Sequence, residues 1–393
     1  MTNTAHWDTI IAGGGVIGSA IAYFLAADPN YNGSILVLER DPTYAAGSTG
    51  LSAGGFRQQF SIPENIQISN FSINFMDKVG EHLRVDDQIP DISMVRAGYL
   101  FLATDRGRDI LHANLTLQRK HGVAVDWLEP IQLVLRFPWL NTDGISAGTV
   151  GDNEGWLDAY SLLWAFRRKA IALGAVYRQA EVTGLVLRGN RITDIRLANG
   201  DSLTPGIMIN AVGARAGQLA AMAGIDLPVR PRKRYVYTFT CPHQLPKFPM
   251  LIDNSGAYVR PEGPGFICGI SPPADEDPDC LDLEVDDSLF QETIWPALAY
   301  RVPAFESLRT GRAWAGHYAY NIVDQNAILG PHPQVGNFLF ANGFSGHGLQ
   351  QSPAVGRALA ELVTHGCYQT MDLSRYDFAR FAENRPLIEQ NVI

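Results

Sequence analysis

A run of glycines near the N-terminus offers the most specific chemistry in this chain. Gly13, Gly15 and Gly18 follow a β-branched, apolar segment at 8–12 and lead into an apolar helical pattern over 19–27. In that spacing the first glycine permits a tight turn and the second lets backbone approach a pyrophosphate. The third lets helix and strand pack closely. The helix N-terminus then turns free N–H groups and a partial positive charge towards phosphate. A second apolar strand, 34–39, ends in Glu39. That is roughly 20 residues past the third glycine, where a carboxylate accepts hydrogen bonds from an adenosine ribose. Strand, glycines, helix, strand and acid in this order predict a bound dinucleotide, and NAD and FAD both use the pattern.

Two further segments carry candidate chemistry. Residues 45–57 are poor in bulky side chains and end in Arg57; their amides and small hydroxyls could follow an extended cofactor past its pyrophosphate. A nicotinamide dehydrogenase rarely needs such a stretch there, and a surface loop is the plain alternative. Near the C-terminus, 338–342 reads as a strand running into glycines, with His347 between Gly346 and Gly348 at a cofactor edge. A third strand-to-small-turn unit spans 206–214 and precedes a helix over 215–223. All three units point towards one cofactor. With no second glycine fingerprint to hold NAD(P)H, electrons are expected to come from an organic substrate.

The remaining elements must position these groups. The chain has 393 residues, more than one core usually serves, so two lobes are expected. Helices are predicted at 108–121, 158–173, 288–300 and 349–363, with Trp156 and Trp164 in the core. Strands are predicted at 98–103, 234–239 and 265–268. The net charge of −9 argues against nucleic acid or an anionic membrane as partner. Residues 9–27 are uncharged, yet three glycines break them and no Lys or Arg precedes Arg40, which argues against a membrane span or signal peptide. Four cysteines without CxxC spacing read as reduced thiols of a cytoplasmic protein, and the scattered histidines, His243 and His332 among them, make no metal site.

With these segments in view, the chain resembles the D-amino acid oxidase superfamily over nearly its whole length. The resemblance is carried by Ser48–Phe60, Val259–Gly263, Asp324–Pro333 and Gly343–Gln351. It implies FAD, and a substrate that is an amino acid or a secondary amine, oxidised at its C–N bond to an imine. The acceptor of the electrons is O2 or another oxidant. It also implies an α/β fold: a Rossmann-like FAD-binding domain of the glutathione-reductase type at 1–85, 150–228 and 323–393. A mainly antiparallel substrate domain would fill 86–149 and 229–322.

By position, the resemblance puts Gly13, Gly15, Val16, Ile17 and Gly18 on the pyrophosphate, and Glu39 and Arg40 at the adenosine. Ser48, Thr49, Ser52, Ala53, Gly54 and Gly55 fall along the ribityl and flavin path, and the backbone of Val182 at the adenine. Gly213, Gly343, Gly346, His347, Gly348, Leu349 and Gln350 would surround the flavin, with the helix beginning near Gly348 aiming its positive end at the flavin N1–C2=O edge.

Departures from the family pattern sharpen the expectations. Where some members attach flavin through cysteine this chain has His317, and where others use histidine it has Leu51, so FAD is expected to be non-covalent. Tyr318 stands in place of a carboxylate-binding arginine, and Gln350 in place of a substrate-side lysine. Arg57 and Arg260 remain as carboxylate clamps, although Arg260 could equally pair with Glu262. Tyr258, Tyr318, Tyr320 and His317 would line a pocket that binds the substrate amine in its neutral form, from which hydride can leave to flavin N5. The oxygen-activating lysine of some relatives is absent near Ile267, which favours a dehydrogenase over a fast oxidase. Arg57 and His347 are the candidate catalytic groups. A flavin-bound assembly or scaffold protein is the alternative function. A hydroxylase is disfavoured, because it needs the missing NAD(P)H unit and a Gly-Asp flavin motif.

Overall fold

The computed structural model describes residues 5–390; the outermost residues of the two terminal ranges expected above lie outside them. β-Branched and apolar runs build a five-stranded parallel core in the order Phe338–Asn342, Ser202–Asn210, Ala5–Ala12, Ile35–Glu39, Val176–Gln179. Ile328–Pro331 adds an antiparallel edge, and Val182–Arg188 and Arg191–Leu197 branch from Ser202–Asn210. Strands buried on both faces need continuous apolar sequence, as Ile35–Leu38 and Phe338–Ala341 show.

Helix Val16–Ala27 is apolar almost all round because it lies between the sheet and two further helices, Ala159–Ala172 and Gly348–His365. It crosses the C-terminal helix closely. A Cβ at Gly356 would lie 2.8 Å from the backbone of Ala20, so only glycine permits that approach.

The second sheet runs Arg309–Asn321, Val229–Thr240, Gly265–Ile270, Ala257–Glu262, Met250–Ile252, Tyr99–Ala103, Ala147–Gly151, Val125–Leu128. All its pairings are antiparallel except Met250–Ile252 with Tyr99–Ala103. The expected division at residue 150 falls inside Ala147–Gly151, whose full length pairs with Tyr99–Ala103 in this second sheet. The predicted helix at 288–300 is broken into Asp287–Leu289, a π-helical turn Phe290–Ile294, and Trp295–Arg301. Gly55–Phe56 forms a small separate ladder with Gly155–Trp156 between the two sheets.

Candidate functional site

One continuous cavity runs from the C-terminal ends of the parallel strands to the face of the antiparallel sheet. Its first part is made mostly of backbone. Gly13 adopts φ +99°, and a Cβ there would sit 2.3 Å from the carbonyl oxygen of Ala211, so the turn requires glycine. A Cβ at Gly18 would lie 1.9 Å from the Gly13 oxygen, which makes Gly18 the packing glycine rather than a cavity residue. The N-cap residue Gly15 has no side chain to cap helix Val16–Ala27, so beyond Val16 N the first-turn N–H groups are left without a side-chain acceptor at the trough. The Glu39 carboxylate accepts from Gly14 N at 2.8 Å and Asp41 N at 2.9 Å, and keeps spare lone pairs for hydroxyl donors. The Thr49 hydroxyl accepts from Val16 N at 3.3 Å, tying the small-residue loop to the helix start. A stretched dinucleotide fits this trough: glycine-lined, with uncapped N–H groups at one end and an acid at the other.

Most of the residues expected at the cofactor line this cavity: Gly13, Gly15, Val16, Ile17, Glu39, Arg40, Ser48, Thr49, Ser52, Ala53, Gly55 and Val182 do so. So do Gly213, Gly346, His347, Gly348, Leu349 and Gln350. Two others do not. Gly54 (φ +76°) presses on Leu157, where a Cβ would lie 2.3 Å from the carbonyl oxygen. Gly343 (φ +72°) packs against Asn321 and Val229 behind the cavity wall.

The second part of the cavity is made of side chains. The antiparallel sheet contributes Tyr99, Arg234, Met250, Ile252, Tyr258, His317 and Tyr318. The hydroxyls of Tyr99, Tyr258 and Tyr318 have no protein hydrogen-bond partner among the described residues, and the Tyr318 phenol lies close enough to the other two to add to the rise in their pKa. Burial raises all three pKa values above the ordinary tyrosine range, which keeps the groups as O–H donors. Arg234 is gripped by Asp277 through two parallel bonds of 2.7 Å. Neither a carboxylate nor a lysine lines this end among the described residues.

Arg57 and His347 meet here. Arg57 is 1% exposed; its Nη2 lies 3.0 Å from His347 Nε2, and its Nη1 donates to the Gln59 carbonyl. A guanidinium only donates, so Nε2 accepts and the ring proton sits on Nδ1. Burial, then the charge of Arg57, holds His347 well below its ordinary pKa, so the imidazole is neutral. Gln350, on the first turn of the same helix, accepts the Arg57 N–H at 2.6 Å. The Arg57 guanidinium lies 4.1 Å from the Phe60 ring centroid.

Arg260 lies outside the cavity. Its Nε donates to the Ala53 carbonyl at 2.9 Å and its Nη1 pairs with Glu262, the salt bridge weighed as its alternative role. There it braces the small-residue loop. His317 lines the cavity, with Nε2 3.0 Å from the Asp282 carbonyl, and burial lowers its pKa. That contact belongs to a strap over the site. Lys233 pairs with Asp282 at 2.7 Å, Arg232 with Asp279 at 3.0 Å, and Tyr237 donates to the Asp286 carbonyl. Leu281 and Leu283 of the strap wall the cavity.

Sequence reasoning missed Tyr99, Arg234, Met250 and Ile252. Tyr99 and Arg234 both lie in segments predicted as strands, 98–103 and 234–239, and the alternation of strand side chains was the available signal.

A dinucleotide trough under a parallel sheet, opening onto an antiparallel chamber, defines a flavin-dependent oxidoreductase. The model of the DAO family of FAD dependent oxidoreductases matches residues 8–362, and the chain belongs to that family; its cofactor is FAD. It is 46% identical over 98% of its length to FAD-dependent oxidoreductase domain-containing protein 1 of Xenopus laevis, spanning 85% of that protein. Among solved structures, L-proline dehydrogenase from P. horikoshii is similar over 98% of this chain and 100% of its own, with TM-score 0.86 and 29% identity. Glycine oxidase from Geobacillus kaustophilus shares the fold, with TM-score 0.82 and 24% identity over 96% of this chain and 99% of its own. Among the described residues no helix is long and apolar enough to cross a membrane.

Proposed function

We propose that this enzyme oxidises the C–N bond of an amino acid or N-substituted amino acid to the imine, which then hydrolyses. The observation that carries the reading is the chamber's composition: two guanidiniums and three phenol hydroxyls, with no carboxylate among its described lining. Such a wall receives an anionic group through donors and leaves an ammonium without a counter-charge, so the substrate amine binds neutral. Bound FAD supplies the two-electron acceptor for the hydride. Arg57 and His347 would hold the reacting end of the substrate against it, while Tyr258 and Tyr318 donate to the carboxylate. Gln350, through its bond to the Arg57 N–H, keeps that pair in register with the helix start. Among the described lining residues of the chamber no carboxylate or lysine stands as a base, which suits hydride loss from a neutral amine, a step that needs none.

The trough residues named above would hold FAD non-covalently. With no lysine in the described lining, electrons are expected to pass slowly to O2 and faster to another acceptor. The four free cysteines support a cytoplasmic location. Anaerobic mixing of the yellow protein with N-methyl, cyclic and D- or L-amino acids tests the proposal. Bleaching of the flavin band by members of that panel is expected. Inertness across it would overturn the enzymatic reading in favour of a flavin-bound scaffold.

A further inference from the structure

We propose that Glu154 is a positioning residue that sets the Arg57–His347 contact, acting through the backbone of residues 58 and 59. Its consequence for turnover rests on the function proposed above; its effect on His347 does not.

Glu154 lies in the turn between strands Ala147–Gly151 and Gly155–Trp156, and is fully buried. Glycines flank the turn because side chains would collide there. A Cβ at Gly151 would lie 2.7 Å from the Glu154 carboxyl group, and one at Gly155 2.0 Å from the Val95 oxygen. The carboxylate is aimed inward by this tight turn. Its Oε1 accepts from Gln58 N at 2.6 Å and from Gln59 N at 2.9 Å, and its Oε2 accepts from Gln59 Nε2 at 2.7 Å. Gln59 is held a second time: its Oε1 accepts from Thr149 Oγ1 at 2.7 Å, and its Nε2 donates to the Tyr99 carbonyl at 3.1 Å.

One peptide on, the Gln59 carbonyl accepts from Arg57 Nη1, and Arg57 Nη2 meets His347. The acid therefore fixes the backbone from which the guanidinium is hung, and the guanidinium fixes which ring nitrogen of His347 carries the proton. A buried carboxylate is costly to retain, so its three accepted bonds must orient something the fold alone does not. Burial raises its proton affinity, which the three accepted bonds and the nearby charge of Arg57 oppose.

The test uses flavin-loaded protein and ¹⁵N spectra of the histidine side chains, with His347 assigned by its loss in His347→Gln. The unsubstituted protein should show an acceptor-type Nε2 and a protonated Nδ1. Glu154→Gln sets an amide NH2 against that of Gln59. His347 should then exchange between tautomers, and amine-driven flavin reduction should slow by roughly 10- to 100-fold with little change in half-saturating substrate. If Glu154→Gln fails to fold, Thr149→Val, which removes one of the two outer holds on Gln59, should move the same signals less. A folded Glu154→Gln protein with unaltered His347 signals and unaltered reduction would overturn the inference, as would unaltered His347 signals in Thr149→Val. If no amine bleaches the unsubstituted protein, the function proposed above fails while the nitrogen signals still decide the role of Glu154.

Discussion

The two ends of the cavity are built from different materials. The trough under the parallel sheet is a backbone structure, in which Gly13 and Gly18 are dictated by carbonyl oxygens 2.3 and 1.9 Å from where a Cβ would stand. The chamber against the antiparallel sheet is a side-chain structure, gathered from strands far apart in sequence, with Tyr99, Arg234, Tyr258 and Tyr318 on four of them. Backbone sites tolerate little change and keep one ligand. Side-chain sites can be rewritten residue by residue, which lets one flavin platform serve different substrates.

The trough is most vulnerable at Gly18. Gly18→Val places a side chain into the Gly13 carbonyl and should cost more than about 4 kcal/mol, the range of severe core lesions. The expected product is colourless or unfolded protein, read by flavin absorbance and thermal unfolding. A folded yellow Gly18→Val variant would mean that the trough is less rigid than its geometry implies.

Chamber substitutions should behave otherwise. Arg57→Lys cannot meet both the Gln59 carbonyl and His347 with one fork, and should slow flavin reduction about 100-fold while flavin stays bound. Tyr258→Phe should weaken substrate binding by about 1–2 kcal/mol, one hydrogen bond to a charged group, with the yellow colour unchanged. Stopped-flow reduction under nitrogen measures both.

A subtler difference lies in pH. Burial pushes the Glu154 carboxyl up to about 7, with Arg57 and Tyr99 the charged and titratable groups facing it. The folded protein thus binds a proton that the unfolded chain releases near its ordinary carboxylate pKa. This contribution to stability is fully present below about pH 4.5, is lost as pH rises through about 7, and is on the order of 3 kcal/mol. Denaturant unfolding across that window should show the decline, and Glu154→Gln should flatten it. The smallest effect expected is on the oxidative side: reduced enzyme should reoxidise slowly in air, and a quinone or dye acceptor should outpace O2.

How far the molecule could be read from its sequence follows the same division. The glycine turn, Glu39 and the loop 48–55 were legible because a backbone site needs particular residues in fixed order. Four of the five parallel strands were legible too, since burial on both faces demands apolar runs, whereas the edge strand Val176–Gln179, half polar and partly exposed, was not. Tyr99, Arg234 and Glu154 were not, because their roles come from tertiary pairing. Glu154 in particular reads as an ordinary turn acid between glycines. The division at residue 150 came from the family resemblance, and the strand it cuts, Ala147–Gly151, pairs along its length with Tyr99–Ala103, a partnership no local pattern announces. Gly343 and Gly54 carry the family pattern through packing and positive φ rather than through the cavity, a distinction that no spacing reveals.

The strap that carries Leu281 and Leu283 is fastened by charged and polar groups of two neighbouring strands rather than by an apolar seam. Its outer fastenings face water, with Asp279 and Asp282 about half exposed. Concentrated electrolyte therefore reaches the roof of the chamber from outside, loosening it while the glycine-lined floor stays as it was.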